Sequence, residues 1–256
     1  MWRQTKTIAG FTALEARRGR LLRLMAATLL AAFLLSEIAA AASVTESNAI
    51  RLAFLASTLR VAAVFVVAAF IAGSIAREQA DKGSEMVLSL PLPRHVYYLG
   101  KLAGFAVIAV VIVVLYALLV ALHSPFTQAL LWAASLLCEL LIIVAFTLLC
   151  SFTFAQVPVV LSAVAAFYLL SRTMEAIRLM SRGPLVDATE PSSRLIAAIV
   201  DGIAYALPDL GRFTPTDWLV YQSGGIGELV GIAAQTTIYV TLLVAAGLFD
   251  LYRRNF

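Results

Sequence analysis

Apolar residues in this chain are gathered into six long runs separated by short polar connections. The runs cover residues 21–42, 54–76, 102–122, 129–150, 154–170 and 229–249. A helix needs about 20 residues to cross the hydrocarbon core of a bilayer, and the strict alternation typical of barrel strands is missing from the sequence. The pattern therefore predicts an all-α integral membrane protein with six transmembrane helices, organised as a single domain over residues 1–256.

Two connections between the runs are long enough to carry structure of their own. The first covers residues 77–101 and the second covers residues 171–228. Within the second, residues 195–207 are mainly apolar but too few to span a bilayer, so they predict a re-entrant or interfacial helix before the last span. Pro208 and Gly211 would end that helix.

The distribution of lysine and arginine sets the orientation of the spans. Twelve of the 19 basic residues lie before the first run or at its start, in the connection 77–101 or in the C-terminal tail. The other seven lie on the opposite side, where the long connection 171–228 also holds seven acidic residues. Because cytoplasmic loops carry the excess of basic residues, we predict a bacterial cytoplasmic-membrane protein with both termini and the connection 77–101 in the cytoplasm.

Composition excludes several classes of function. The chain is 62% hydrophobic and 13% charged, with a mean hydropathy of +0.93, so no soluble enzymatic domain of ordinary size fits between the spans. The net charge of +4 follows from the topology and predicts contact with membrane lipid, with no nucleic-acid partner. Neither Cys-x-x-Cys nor His-Glu-x-x-His occurs, so we expect no metal site. Cys138 and Cys150 lie in one apolar run and are expected to remain thiols.

The connection 77–101 has the more informative sequence of the two. Ser84 is a good N-cap for a short helix over residues 85–90, and Pro91 and Pro93 would end it. A short helix held between two spans can transmit force from a cytoplasmic partner to both of them. An amphipathic turn that lies on the lipid surface is the alternative. The residues alone leave both interpretations open.

The motifs of this connection resemble those of the ABC type 2 exporter permease family, and most closely its multicopper-enzyme-maturation branch. The resemblance rests on Arg77-Glu78, Lys82-Gly83-Ser84-Glu85, Leu88-Ser89-Leu90-Pro91, Pro93-Arg94 and Gly100-Lys101, together with the six-span layout. It implies a non-catalytic subunit whose coupling helix docks in a groove of a separate, dimeric cytoplasmic ATPase. By this resemblance, the ATPase-coupling residues are Glu78, Gly83, Glu85, Leu88, Pro91 and Arg94.

The same resemblance implies the other partners. Two copies of the chain, or this chain and a related permease, would pair about a two-fold axis, and the turn 151–154 would be a second cytoplasmic contact. The sequence has no Gly-x-x-x-x-Gly-Lys-Ser/Thr phosphate loop. No cofactor is therefore expected on this chain, and ATP and Mg²⁺ would bind to the partner ATPase.

Three charged residues inside or beside the spans need an explanation. Glu139 lies in the middle of a predicted span, where an ionisable group is a functional candidate by default. A protonated or hydrogen-bonded structural glutamate at the interface between helices is the alternative. Glu37 and Arg60 lie towards the external ends of adjacent spans, so we expect them to pair with each other.

Two further patterns concern packing. The N-terminal segment, residues 2–20, is expected to form a basic interfacial helix with Ile8, Phe11 and Leu14 on its lipid side. Gly100-x-x-x-Gly104 and Gly227-x-x-x-Gly231 have the spacing of helix-packing motifs.

Three functions remain compatible with these patterns. The leading prediction is the permease subunit of an ATP-driven exporter. The second is a mechanical transmitter, in which ATP hydrolysis moves the external connection against an external or periplasmic partner and nothing is transported. The third is an intramembrane enzyme that uses Glu139, and the sequence offers no second catalytic group for it.

Overall fold

The computed structural model describes residues 7–12, 14–15, 21–43, 46–81, 93–154, 156–181 and 191–253. These residues form α1 (Leu21–Ala42), α2 (Ser47–Ala80), α3 (Arg94–Ala121), α4 (Phe126–Thr153), α5 (Val157–Ser181), α6 (Pro191–Ala206), a 3₁₀ turn (Leu210–Arg212), α7 (Asp217–Val220) and α8 (Ile226–Arg253). Residues 7–12 and 14–15 are also helical and belong to the N-terminal segment. The described part of the chain contains no strand.

Six of these helices are long and apolar enough to cross a membrane, which confirms the predicted number of spans. They are α1 to α5 and α8, with lengths of 22 to 34 residues. The helices extend beyond several of the predicted runs, because α-helical hydrogen bonding continues into the polar residues outside the apolar stretch. The largest difference is in α5, which ends at Ser181, eleven residues beyond the predicted run. The molecule is an all-helical protein with the character of a multi-pass membrane protein.

Helix α4 is the centre of the bundle. It packs against α2, α3, α5 and α8, and 67% of its most apolar window is buried inside the chain. The corresponding share for α8 is only 11%, so this helix contacts the bundle along one narrow face. A charged side chain on α4 is therefore surrounded by protein and has no access to bulk solvent.

The ends of the helices are held together by polar contacts. At one end, which we call the basic end, Arg94 of α3 donates to the carbonyl oxygen of Leu251 in α8 at 3.0 Å. Gln79 of α2 donates there to the carbonyl oxygen of Ser151 in α4 at 3.3 Å. At the opposite end, Gln128 of α4 donates to the carbonyl oxygen of Gln222 at 3.2 Å. The segment 82–92 therefore connects two helices at the basic end.

The connection between α5 and α8 has two different parts. Helix α6 exposes much of its apolar face, with Leu195 64% and Ile199 54% exposed. The chain then enters the bundle, and residues 208–219 form what we call the inserted segment. Its buried members are Pro208, Leu210, Phe213, Thr214, Trp218 and Leu219. The part of this connection that lies within the bundle is thus the stretch after the predicted apolar helix.

Candidate functional sites

An ion pair joins α2 and α3, the two helices that the segment 82–92 connects. The Nζ atom of Lys101 lies 2.6 Å from Oε2 of Glu78, and the hydroxyl of Tyr97 donates to Oε1 of the same carboxylate at 3.0 Å. The side chains of Lys101 and Glu78 are only 10% and 19% exposed, so the pair is poorly screened by solvent. The two helix ends are therefore fixed to each other at the base of this segment.

Two of the six predicted coupling residues, Glu78 and Arg94, lie in the described part of the chain. Both make contacts within the chain: Glu78 joins α2 to α3, and Arg94 donates to carbonyl oxygens at the end of α8. Such carbonyls have no partner inside their own helix. Gly83, Glu85, Leu88 and Pro91 lie outside the described residues.

The N-terminal helical residues pack into the first glycine pair. A Cβ atom at Gly100 would lie 2.9 Å from Cβ of Ile8, and one at Gly104 would lie 2.7 Å from Cβ of Thr12. Both distances are shorter than van der Waals contact, so only glycine allows this approach. The predicted lipid-facing position of Ile8 is therefore wrong, whereas Phe11 and Leu14 are exposed as expected, by 69% and 51%.

The carboxylate of Glu15 attaches the same N-terminal helix to α2. It accepts hydrogen bonds from the hydroxyl of Ser74 at 2.9 Å and from Nη2 of Arg77 at 3.0 Å. The basic end thus holds the N-terminal helix, α2 and α3 in one group of contacts.

A second site lies inside the bundle, where Glu139 and Arg60 meet the inserted segment. The side chain of Glu139 is fully buried, and its Oε2 accepts a hydrogen bond from the hydroxyl of Thr214 at 2.8 Å. Arg60 donates from Nη1 to the carbonyl oxygen of Thr214 at 2.7 Å. The backbone N–H of Thr214 donates to the hydroxyl of Ser135 at 2.9 Å. Helices α2 and α4 therefore bind one residue of the inserted segment from three directions.

Arg172 of α5 completes this site. Its Nη1 donates to the carbonyl oxygens of Leu210 at 2.8 Å and Phe213 at 3.1 Å. The same nitrogen lies 3.6 Å from Oε1 of Glu139. Tyr168, one turn earlier on α5, is buried beside Glu139 and Arg60. Three spans thus direct charged groups at a stretch of five residues.

The expected pairing of Glu37 with Arg60 is wrong. Glu37 pairs instead with Arg51, whose Nε lies 2.9 Å from Oε1 of the carboxylate. Arg51 lies near the start of α2 and reaches the end of α1, whereas Arg60 lies more than two turns further into the bundle. Arg60 is 9% exposed and directs its guanidinium to the inserted segment.

Thr214 has a backbone conformation that its own sequence does not favour. Its φ angle is 49°, in the left-handed region that β-branched residues rarely adopt. Such a conformation costs on the order of 1–3 kcal/mol and persists only where the surroundings enforce it. Here the enforcing contacts are those to Ser135, Glu139 and Arg60. The inserted segment is therefore held in place against a local backbone preference.

Open space flanks the inserted segment at the end of the bundle opposite the basic end. A cavity of about 400 Å³ lies between α5 and α6, and Glu175, Leu207 and Asp209 contribute to its wall. A second cavity, of about 580 Å³, lies between the segment and α8, and its wall includes Trp218 and Glu228. Arg212 lines both. The segment thus separates these two cavities from the buried charges beneath it.

Sequence reasoning identified Glu139 but did not identify its neighbours. Arg172 and Thr214 lie in a connection that was expected to remain outside the spans, and Ser135 has no distinguishing pattern. One signal was available: Glu139 and Ser135 are four residues apart and therefore share a helix face. Among the described residues, no group of three or more His, Cys, Asp or Glu side chains could hold a metal ion.

No protein-family model matches this chain, and no curated protein is significantly similar to it.

Proposed function

We propose that this chain is the permease subunit of an ATP-driven exporter of the ABC type, acting as a dimer in the bacterial cytoplasmic membrane. ATP would be hydrolysed, with Mg²⁺, by a separate cytoplasmic ATPase. The segment 82–92 would be the coupling helix that the ATPase contacts. The proposal also places both termini, and the whole basic end, in the cytoplasm.

The observation that carries the proposal is the buried ion pair between Glu78 and Lys101 at 2.6 Å. A coupling element transmits force only if its two attachments move as one unit. The pair, with Tyr97, joins the end of α2 to the start of α3. Movement of the segment would then tilt both spans together, and α4 and α5 pack against α2.

The experiment is co-expression of the chain with a candidate ABC-type ATPase sought among the genes that neighbour its own. A complex should purify with equal numbers of the two chains, and Glu85→Lys should weaken it by about tenfold or more because the charge at the docking surface is reversed. Glu37→Lys, which reverses a charge at the opposite end of the bundle, is the matched control and should leave the complex intact. The proposal would be refuted if no complex formed. It would also be refuted if the complex with Glu85→Lys transported as well as the unsubstituted one.

The second candidate is a mechanical transmitter, and the exposure of α6 favours it. Leu195 and Ile199 leave an apolar surface at the end where an external partner would bind. The two functions differ in one measurement. An exporter in liposomes should show ATPase activity that its substrate stimulates, with no other protein present, whereas a transmitter should require the external partner.

A further inference from the structure

Arg60 is buried and Arg172 is partly buried, and both donate to neutral oxygen atoms of the inserted segment close to the carboxyl group of Glu139. We propose that Arg60 and Arg172 form a binding site for an oxyanion group, and that oxygen atoms of the inserted segment occupy this site in the closed state. The inference names a substrate class and rests on the proposed export function for the statement that the anion is cargo. Binding of the anion itself requires no ATPase.

The geometry of the acceptors supports this assignment. Nη1 of Arg60 lies 2.7 Å from the carbonyl oxygen and 3.3 Å from Oγ1 of Thr214. Nη1 of Arg172 lies 2.8 Å and 3.1 Å from the carbonyl oxygens of Leu210 and Phe213. Guanidinium groups bind anionic oxygens more strongly than neutral ones. The segment therefore presents four neutral oxygens where an oxyanion would be the preferred ligand.

The charge balance points the same way. Arg60 and Arg172 carry two positive charges, and Glu139 beside them supplies at most one negative charge. An excess charge inside a bundle is costly unless it is compensated. Anchoring the segment does not require this excess, because Ser135 binds Thr214 with a neutral hydroxyl. At least one additional negative charge is needed to balance the site, which is why we specify an anionic group.

One buried donor at the site remains available for a ligand. Nε of Arg60 is buried and has no hydrogen-bond partner among the described residues. An oxyanion has more acceptor positions than a single carbonyl oxygen, so it could engage this donor, which the segment leaves unused.

Access to the site requires the inserted segment to move. The strained backbone of Thr214 favours that movement, since its φ angle of 49° is maintained by the same contacts that an anion would replace. The cavities on the outer side of the segment provide space for its displacement. Anion binding and withdrawal of the segment are therefore expected to be coupled.

The test measures the accessibility of the inserted segment. Leu219 is 1% exposed and makes none of these polar contacts, so Leu219→Cys provides the labelling site. Both native cysteines are removed by Cys138→Ala and Cys150→Ala. In phosphatidylcholine nanodiscs at matched ionic strength, inorganic phosphate should raise the rate of maleimide labelling by about fivefold, with saturation. Arg60→Gln should abolish this response. Arg51→Gln removes the same charge from the same helix outside the site and should preserve it.

Glu139→Gln should strengthen phosphate binding, whereas Arg60→Gln should abolish it. Removing the negative charge beside the site should lower the half-saturating phosphate concentration by about tenfold, whereas damage to a merely structural anchor would not tighten binding. Nanodiscs that contain anionic phosphatidylglycerol, without free phosphate, test whether a lipid headgroup is the source of the oxyanion. An Arg60-dependent increase in either arm supports the proposal and identifies the source.

Binding of radiolabelled phosphate to the unsubstituted chain provides a second measurement that needs no variant to fold. The proposal is overturned if neither phosphate nor anionic lipid binds or changes labelling, or if the response is the same in Arg60→Gln. Because no ATPase is present, such a failure would leave the export proposal standing, and failure of the ATPase complex would leave the anion site standing.

Discussion

Replacing Glu139 by glutamine should be among the most destabilising isosteric changes that this chain offers. The side chain is 0% exposed, and its charge compensates Arg172 at 3.6 Å and the nearby Arg60. Glutamine retains an acceptor for the hydroxyl of Thr214 but removes the charge, which leaves the buried Arg60 and the partly buried Arg172 without a counterion. Removing one partner of a buried ion pair typically costs about 3–5 kcal/mol. Because Arg172 also donates to two carbonyl oxygens, we expect the lower end, about 3 kcal/mol.

The matched control is Glu37→Gln, the same substitution in an exposed ion pair. Glu37 and Arg51 are 38% and 29% exposed and meet at 2.9 Å. Exposed pairs contribute about 0–1 kcal/mol even with good geometry. Reversible unfolding in mixed detergent micelles, followed by the loss of helical signal, gives the difference between the two variants. The two costs should differ by at least about 2 kcal/mol.

A double-mutant cycle separates the interaction free energy of the ion pair from other destabilising effects of the two substitutions. Glu139→Gln combined with Arg172→Gln should cost less than the sum of the single changes, by about 1 kcal/mol or more, because the second change removes a charge that the first left uncompensated. The reasoning would be refuted if Glu139→Gln cost no more than Glu37→Gln. Strict additivity in the cycle would equally show that Arg172 and Glu139 do not interact.

The sequence was sufficient to predict the spans because bilayer thickness imposes a length and a polarity on each one. The six helices and their order follow from hydropathy alone. The packing role of Gly100-x-x-x-Gly104 could also be predicted from spacing, although its partner could not. Ile8 and Thr12 fit the two glycines because the N-terminal helix folds back onto α3, and no pattern within residues 2–20 specifies that direction.

The buried charge site could not be predicted, for two physical reasons. The contact between Arg60 and Thr214 joins residues 154 positions apart, so no local spacing relates them. The inserted segment also has only two very short helical turns, and side chains of α2, α4 and α5 bind three of its carbonyl oxygens and one of its N–H groups. Adjacent positions in the predicted topology therefore suggested Glu37 as the partner of Arg60. The side chain of Arg60 instead extends into the bundle and binds Thr214.

Two smaller predictions concern single contacts at opposite ends of the bundle. Gly104→Ala should lower the thermal midpoint, with a cost of about 1–3 kcal/mol, because the added methyl group would lie 2.7 Å from Cβ of Thr12. Gly231→Ala meets nothing within 4 Å and should leave the midpoint unchanged or raise it, so equal losses in both variants would contradict the packing account. Trp218→Phe should cost about 1 kcal/mol in the same assay, because Nε1 donates to Oε2 of Glu228 at 2.9 Å. Adding Glu228→Gln to that variant should then cost little more, and a full additional loss would show that the two side chains act independently.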